Sequence, residues 1–191
     1  MPRLDRMDGS PPLPVWKVAD YLGPARGVVV GWKDRGRADL SPRLVAAVCR
    51  AGELLAPVLA DAVGTERLDV VPVPASRGAR RRRGADLVGL LAAGAAQGLR
   101  SGGVAADAVP VLRRRGARDQ VGLGARARGA NTTGSVGLRR GGRRGRLHLL
   151  VDDVVTTGST LATCERALQG AGGLVLGALV LAATPPPSRV R

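Results

Sequence analysis

The chain has 191 residues, with 30 Lys and Arg against 15 Asp and Glu, for a formal net charge of +15. That length favours one domain with a sizeable core, and no run of about 20 apolar residues is present to cross a membrane. Two cysteines and one histidine exclude a zinc site of the usual four-ligand spacing, and three aromatic residues (Trp16, Tyr21 and Trp32) argue against a base-stacking platform for single strands.

The opening MPRLDRMDGSPPLP is polar and Pro-rich, unlike a signal peptide. Residues 1–15 are expected to be a loosely attached lead, 16–184 the domain and 185–191 a tail, in a cytoplasmic protein. In YLGPARGVVVGWKDRGR (21–37) the run Val28-Val29-Val30 suggests a strand by its β-branching. Ser41 and Pro42 suit a helix N-cap and first turn, and the helix runs through LVAAVCRAGELLAPVLADAV with a kink or break near Pro57. LDVVPVP (68–74) reads as a buried strand ended by prolines. A helix is expected from Gly84 to Leu99, a strand from Ala108 to Leu112 and a short helix from Gln120 to Gly129. LHLLV (147–151) is the next strand. The helix Ser159–Gly170 places Leu161, Cys164 and Leu168 on one face, and LVLGALVLAA (174–183) is a fully buried strand. Continuously apolar strands alternating with helices predict an α/β fold, a mainly parallel sheet with helices on both faces. Cys49 and Cys164 fall among apolar residues and read as core packing. His148 reads as a packed or edge histidine, Trp32 as a satellite core residue, and Asn131 as a turn or lid residue.

No Gly-Lys-Ser/Thr loop and no Gly-x-Gly-x-x-Gly after a strand is present, so the common triphosphate and dinucleotide cradles are missing. HLLVDDVVTTGST (148–160) offers a different one. Ligands of parallel α/β sheets bind beyond the carboxyl ends of the strands, where Asp152 and Asp153 follow LHLLV. Thr156, Thr157, Gly158, Ser159 and Thr160 then turn into a helix whose N-terminal N–H groups and dipole attract an anion. Two carboxylates would repel that same anion. They suit ribose hydroxyls, or a magnesium ion held through water. A ribose bearing a 5′-phosphate satisfies both halves. The plainer alternative is a strand, an Asx-type cap and an ordinary helix start.

All but Lys17 and Lys33 of the 30 basic residues are arginine. The runs Arg80–Arg83, Arg113–Arg115 and Arg139, Arg140, Arg143, Arg144 either bind phosphate of a nucleotide or of DNA, or reflect a bias toward GC-rich codons.

VDDVVTTGST resembles the phosphoribosyl pyrophosphate (PRPP) motif of the type I phosphoribosyltransferases. VVPVPASRGARRRRGAD (70–86), RRRGARDQVGLGARARGAN (113–131) and the segment with Tyr21, Gly23, Lys33 and Gly36 resemble stretches of the ComF-type competence proteins, over roughly residues 20–182. The family's four-cysteine zinc module has no counterpart here, so no zinc is carried over. The family's Arg-Gly-Phe-Asn-Gln string is here Arg83, Gly84, Ala85, Asp86 and Leu87. Thr156 stands where purine-salvage relatives carry an acid, so their mechanism is not carried over.

The resemblance implies the type I phosphoribosyltransferase fold, a mainly parallel five-stranded sheet with a small hood. It implies ribose bound by Asp152 and Asp153, 5′-phosphate at Thr156–Thr160, and pyrophosphate at Ala75, Ser76 and Arg77. It implies a lid drawing on Arg113, Arg115, Gln120, Arg126 and Asn131, with Mg²⁺ accompanying PRPP. Three functions are compatible with it: a PRPP-dependent transferase of unassigned acceptor, a non-catalytic nucleotide-binding module, and a DNA-binding accessory of DNA uptake that uses the arginine surface.

Overall fold

The structure, a computed structural model, describes residues 13–75, 86–114, 136–139 and 146–185. In chain order these form β1 (Val15–Asp20), α1 (Gly23–Asp34), a 3-10 turn (Ala38–Leu40), α2 (Ser41–Val63), β2 (Leu68–Pro72), α3 (Leu87–Ser101), β3 (Ala106–Ala108), β4 (Leu112–Arg114), β5 (Val136–Leu138), β6 (Leu147–Val155), α4 (Ser159–Gln169) and β7 (Leu174–Ala183). Five strands make one sheet in the order β1-β7-β6-β2-β3, parallel at every pairing. β4 and β5 form a separate antiparallel pair. The α/β architecture expected from the alternation of apolar runs is therefore present.

Side chains alternate across β6, and the alternation sorts the core into two layers. Leu149 and Val151 join the cluster built by α1, α2 and α3, while Leu150 joins Leu161, Cys164 and Leu168 of α4. Helices thus cover both faces, which is why the strands read as unbroken apolar runs.

With so few aromatic residues, much of the packing is achieved by close backbone approach. α2 and α3 meet through glycines. A Cβ built on Gly98 would lie 1.9 Å from the Cys49 carbonyl oxygen, and one on Gly52 would lie 2.6 Å from that of Ala95. Neither neighbour is a flexible side-chain end, so the helices would have to move apart.

Several expectations are corrected. Val28–Val30 is the middle of α1, not a strand. Val29 and Trp32 are buried there while Val28 is exposed, so a helical burial period outweighs the β preference of three valines. Trp32 belongs to the main core, and its Nε1–H donates to Ser41 Oγ at 2.8 Å, tying α1 to the start of α2. Ser41 itself lies inside α2, with Leu40 at the cap position. α2 runs unbroken past Pro57, which sits on its exposed side. The strand expected at 108–112 is divided between β3 and β4, with Pro110 between them. The stretch taken as a lead already contains buried Leu13 and the first residue of β1, Val15, which pairs with Ala178. The expected helix 120–129 and most of the tail lie outside the described residues.

Gly98→Ala is expected to destabilise the protein by about 1–3 kcal/mol, the usual cost of overpacking. Gly27→Ala, in α1 with nothing within 4 Å of an added Cβ, is expected to stabilise it by about 0.5–1 kcal/mol. Urea unfolding of the two variants beside wild type checks both signs.

Candidate functional site

β6 is the central strand, and its pairing with β7 continues through Val154 and Val155. Asp152 and Asp153 therefore lie within the strand near its carboxyl end, not just past it as the LHLLV boundary implied. Both are buried, at 9% and 4% exposure, so neither can keep a charge without compensation.

That compensation comes from α1. Lys33 Nζ stands 2.7 Å from both oxygens of Asp153. Asp153 Oδ1 also accepts the Val154 N–H at 2.7 Å. Among the described residues, the Asp152 carboxylate accepts one local bond, from the Asp153 N–H at 2.8 Å. Burial, and then the neighbouring Asp153 charge, push the Asp152 carboxyl up to about 8. At neutral pH Asp152 is thus protonated, beside the Asp153–Lys33 ion pair. Directly behind it, burial and the Asp152 charge push the Cys164 thiol up to about 12, so this cysteine is packing and not a nucleophile.

The turn after β6 opens toward the same place. Gly158 is the N-cap of α4 with φ +75°, a left-handed conformation that suits glycine. No side chain caps α4, whereas α3 is capped by Asp86, which accepts the Gly89 N–H. The Ser159 N–H reaches Thr157 Oγ1 at 3.5 Å, and the N–H groups that follow it in the first turn of α4 are left to an incoming acceptor. Thr157 Oγ1 lies 3.2 Å from Ser159 Oγ, and both residues are exposed.

A cavity of about 340 Å³ is lined by Lys33, Asp152, Asp153, Thr160, Ala75 and Arg114, among others. It brings together the acidic pair, the end of the threonine turn and the start of the loop after β2. Of the turn only Thr160 lines it; Thr156, Thr157, Gly158 and Ser159 do not. Arg113 points to a neighbouring cavity instead. Ser76, Arg77, Arg115, Gln120, Arg126 and Asn131 lie outside the described residues, as do Arg80–Arg83, Arg140, Arg143 and Arg144. His148 is buried four residues before Asp152 on β6, roughly 13 Å away by strand rise. Burial lowers its pKa, and it packs beside Asp69 and Arg146 at the opposite end of the sheet.

One member of the site, Lys33, carried no role in the sequence reading, and Arg114 only that of its arginine run. Lys33 is one of only two lysines in the chain, and its distance from Asp153 in sequence hides the pair. Arg114 sits between two arginines chosen as lid residues. Strand alternation turns it away from Arg113, and its Nε–H donates to the Pro74 carbonyl at 3.0 Å. Among the described residues, no group of three or more His, Cys, Asp or Glu gathers to hold a metal ion, and no helix is long and apolar enough to cross a membrane. Comparison of the chain with models of known protein families and with curated proteins finds no match.

The raised pKa of Asp152 has a stability consequence. Between about pH 4 and 8 the folded state holds a proton that the unfolded state releases. Stability contributed by this group is therefore fully present below pH 4 and is lost as pH rises toward 8. Asp152→Asn removes the titration. Relative to wild type, its Tm should gain steadily from pH 4 to 8, with the largest advantage at pH 8. Parallel Tm–pH curves for the two proteins would place the Asp152 carboxyl at an ordinary pKa.

Proposed function

We propose that the protein binds PRPP, or a nucleotide carrying ribose 5-phosphate, as a phosphoribosyltransferase of the ComF type. The observation that carries this reading is one juxtaposition. The acidic pair near the carboxyl end of the central strand lines the same cavity as Thr160, in the first turn of α4. A ribose 5-phosphate needs acceptors for its hydroxyls and donors for its phosphate. The acidic pair supplies the first, and the α4 amides with Thr157, Ser159 and Thr160 supply the second. The five-stranded parallel sheet with helices on both faces is the architecture this family would require, and the hood remains part of the proposal.

In this reading Asp153 accepts from the ribose hydroxyls while Lys33 holds it in place. Asp152, protonated, can donate one hydrogen bond and accept another. Ala75 opens the loop that meets the pyrophosphate, and Arg114 lies beside it with a permanent positive charge. The leaving pyrophosphate gathers negative charge as the C1–O bond opens, and fixed cations near it lower that barrier. Asp153 and, once it gives up its proton, Asp152 are hard oxygen donors that would suit magnesium held through water, and such an ion would add neutralising charge at the pyrophosphate. Its other ligands would be water and phosphate oxygens. No protein nucleophile is called for, and the nearest thiol, Cys164, is kept protonated.

Calorimetric titration with PRPP and Mg²⁺ tests the reading. Asp153→Asn should weaken PRPP binding about 10- to 100-fold, the range of one to two charged hydrogen bonds, with the fold intact. Thr157→Val should weaken PRPP and ribose 5-phosphate alike, since both carry the 5′-phosphate. A wild-type protein without affinity for PRPP at millimolar ligand and Mg²⁺ would rule the assignment out.

A further inference from the structure

The chain has a single histidine, His148, and the proposed ligand site makes no use of it. It lies near the start of β6, 2% exposed, at the end of the sheet opposite the acidic pair. Strand pairing sets its neighbours. His148 stands beside Asp69 of β2 and Val175 of β7, and the β6–β7 register slips between His148 and Leu149.

Both ring nitrogens are crowded. Nδ1 is buried with no hydrogen-bond partner among the described residues. The nearer oxygen of Asp69, Oδ2, is 3.9 Å away, beyond hydrogen-bond reach. The other oxygen, Oδ1, accepts from Arg146 Nη2 at 2.9 Å. On the far edge of the ring, the backbone of Gly173 closes over Nε2, and a Cβ built on Gly173 would lie 2.5 Å from that nitrogen. Gly173 belongs to the turn that joins α4 to β7. Two hydrogen bonds hold this part of the turn, from the Gly173 N–H to the Leu168 carbonyl at 3.0 Å and from the Leu174 N–H to the Arg146 carbonyl at 2.9 Å.

The charges around the ring do not favour a second cation. Asp69 attracts a proton to His148, Arg146 opposes it, and burial opposes it most, so the imidazole is held neutral below its ordinary pKa. Glu66 and Asp107 act on Arg146, and Asp107 is paired with Arg67 at 2.6 Å. The turn and strand from Ala171 to Ala183 bring no titratable side chain. On α4, Glu165 accepts from Gln169 and Arg166 donates to Thr163. A protonated ring would therefore need water or a closer Asp69. Asp69 is fixed within the sheet, paired with His148 on one side and Asp107 on the other. The Gly173 turn is the part that can give.

We infer that His148 is an acid-sensitive latch on the α4–β7 turn: the neutral ring packs under Gly173, and the protonated ring displaces the turn to reach water. The latch does not depend on the ligand assigned to the first cavity. With the turn open, the ring binds its proton near the ordinary value of 6.5, and with the turn closed only at lower pH. The closed turn is thus fully favoured above about pH 6.5 and loses ground as pH falls below it, by up to about tenfold per pH unit for one proton. This is the reverse of the Asp152 dependence.

Because the histidine is single, its Cε1–H resonance in untagged protein reads the titration without any variant, and the midpoint should fall below 6.5. Amide exchange at Gly173 and Leu174, corrected for the intrinsic effect of pH, should accelerate as pH falls from 6.5, approaching about tenfold per pH unit. Thr184, whose N–H donates to the Val155 carbonyl at the other end of the sheet, should show no such acceleration. His148→Gln should remove the acid-dependent opening. Should that variant fail to fold, the wild-type resonance and exchange rates decide the matter by themselves. The inference is overturned if the imidazole titrates at 6.5 or above, or if Gly173 and Leu174 follow Thr184 across the range. It is also overturned if folded His148→Gln opens with acid as wild type does.

Discussion

Two carboxylates on consecutive residues of a buried strand cannot both be charged unless a cation stands beside them. Here the cation is Lys33, and much of the structure serves to hold it there. It projects from the last turn of α1, a helix anchored by Val29 and Trp32 in the main core. The Trp32–Ser41 hydrogen bond fixes α1 against α2, and α2 is seated on α3 by glycine contacts that admit no extra methyl group. α3 in turn packs over β6, the strand that bears the acids. The chain of contacts closes on itself at Asp153. An ion pair with one partner 5% and the other 30% exposed adds modest net stability at best, since desolvation offsets attraction. Its consequence is positional. It fixes Asp153 at the cavity wall, beside a neighbour that burial keeps protonated.

That division gives the site different valences from those the sequence string implies. Asp-Asp reads as two equal acceptors. In the fold, the strand alternation sends the two side chains toward different layers. Asp152 sits on the side of Cys164 and α4, and Asp153 on the side of α1. Only the second finds a cation. One carboxyl that can donate and one carboxylate that can only accept match a pair of vicinal hydroxyls, each of which is donor and acceptor, better than two anions would.

Much of this was legible from sequence where the signal was local. Apolar runs bounded by Gly and Pro located β2, β6 and β7, and the stripe Leu161, Cys164, Leu168 located α4. The acidic pair and the threonine turn were visible because a sheet's ligand end and a helix start are short-range features. What failed was of two kinds. Val28–Val30 has the residue types of a strand, and only the spacing from Val29 to Trp32 and the burial it creates reveal a helix. Lys33 is joined to Asp153 by tertiary packing across 120 residues, which no local pattern records. β6 was cut short at Val151 because two aspartates look like a strand end, whereas the backbone keeps pairing with Ala182 and Ala183 beneath them. Ser76, Arg77 and the 115–131 lid residues lie outside the described residues, so the loop and lid roles rest on the resemblance alone.

The arginine surplus raises a separate question, because composition cannot distinguish codon bias from selection for charge. Placement can. A residue fixed by bias alone should sit where any soluble cation would, solvated or paired with the nearest acid, as Arg37 is with Asp39 and Arg50 with Glu53. Arg114 and Arg139 instead spend their Nε–H groups on the backbone carbonyls of Pro74 and Leu112. A lysine could not do this and still present a planar pair of donors, because its three N–H bonds share one nitrogen. The geometry therefore uses what distinguishes arginine from lysine, and at Arg114 it does so on the wall between two cavities.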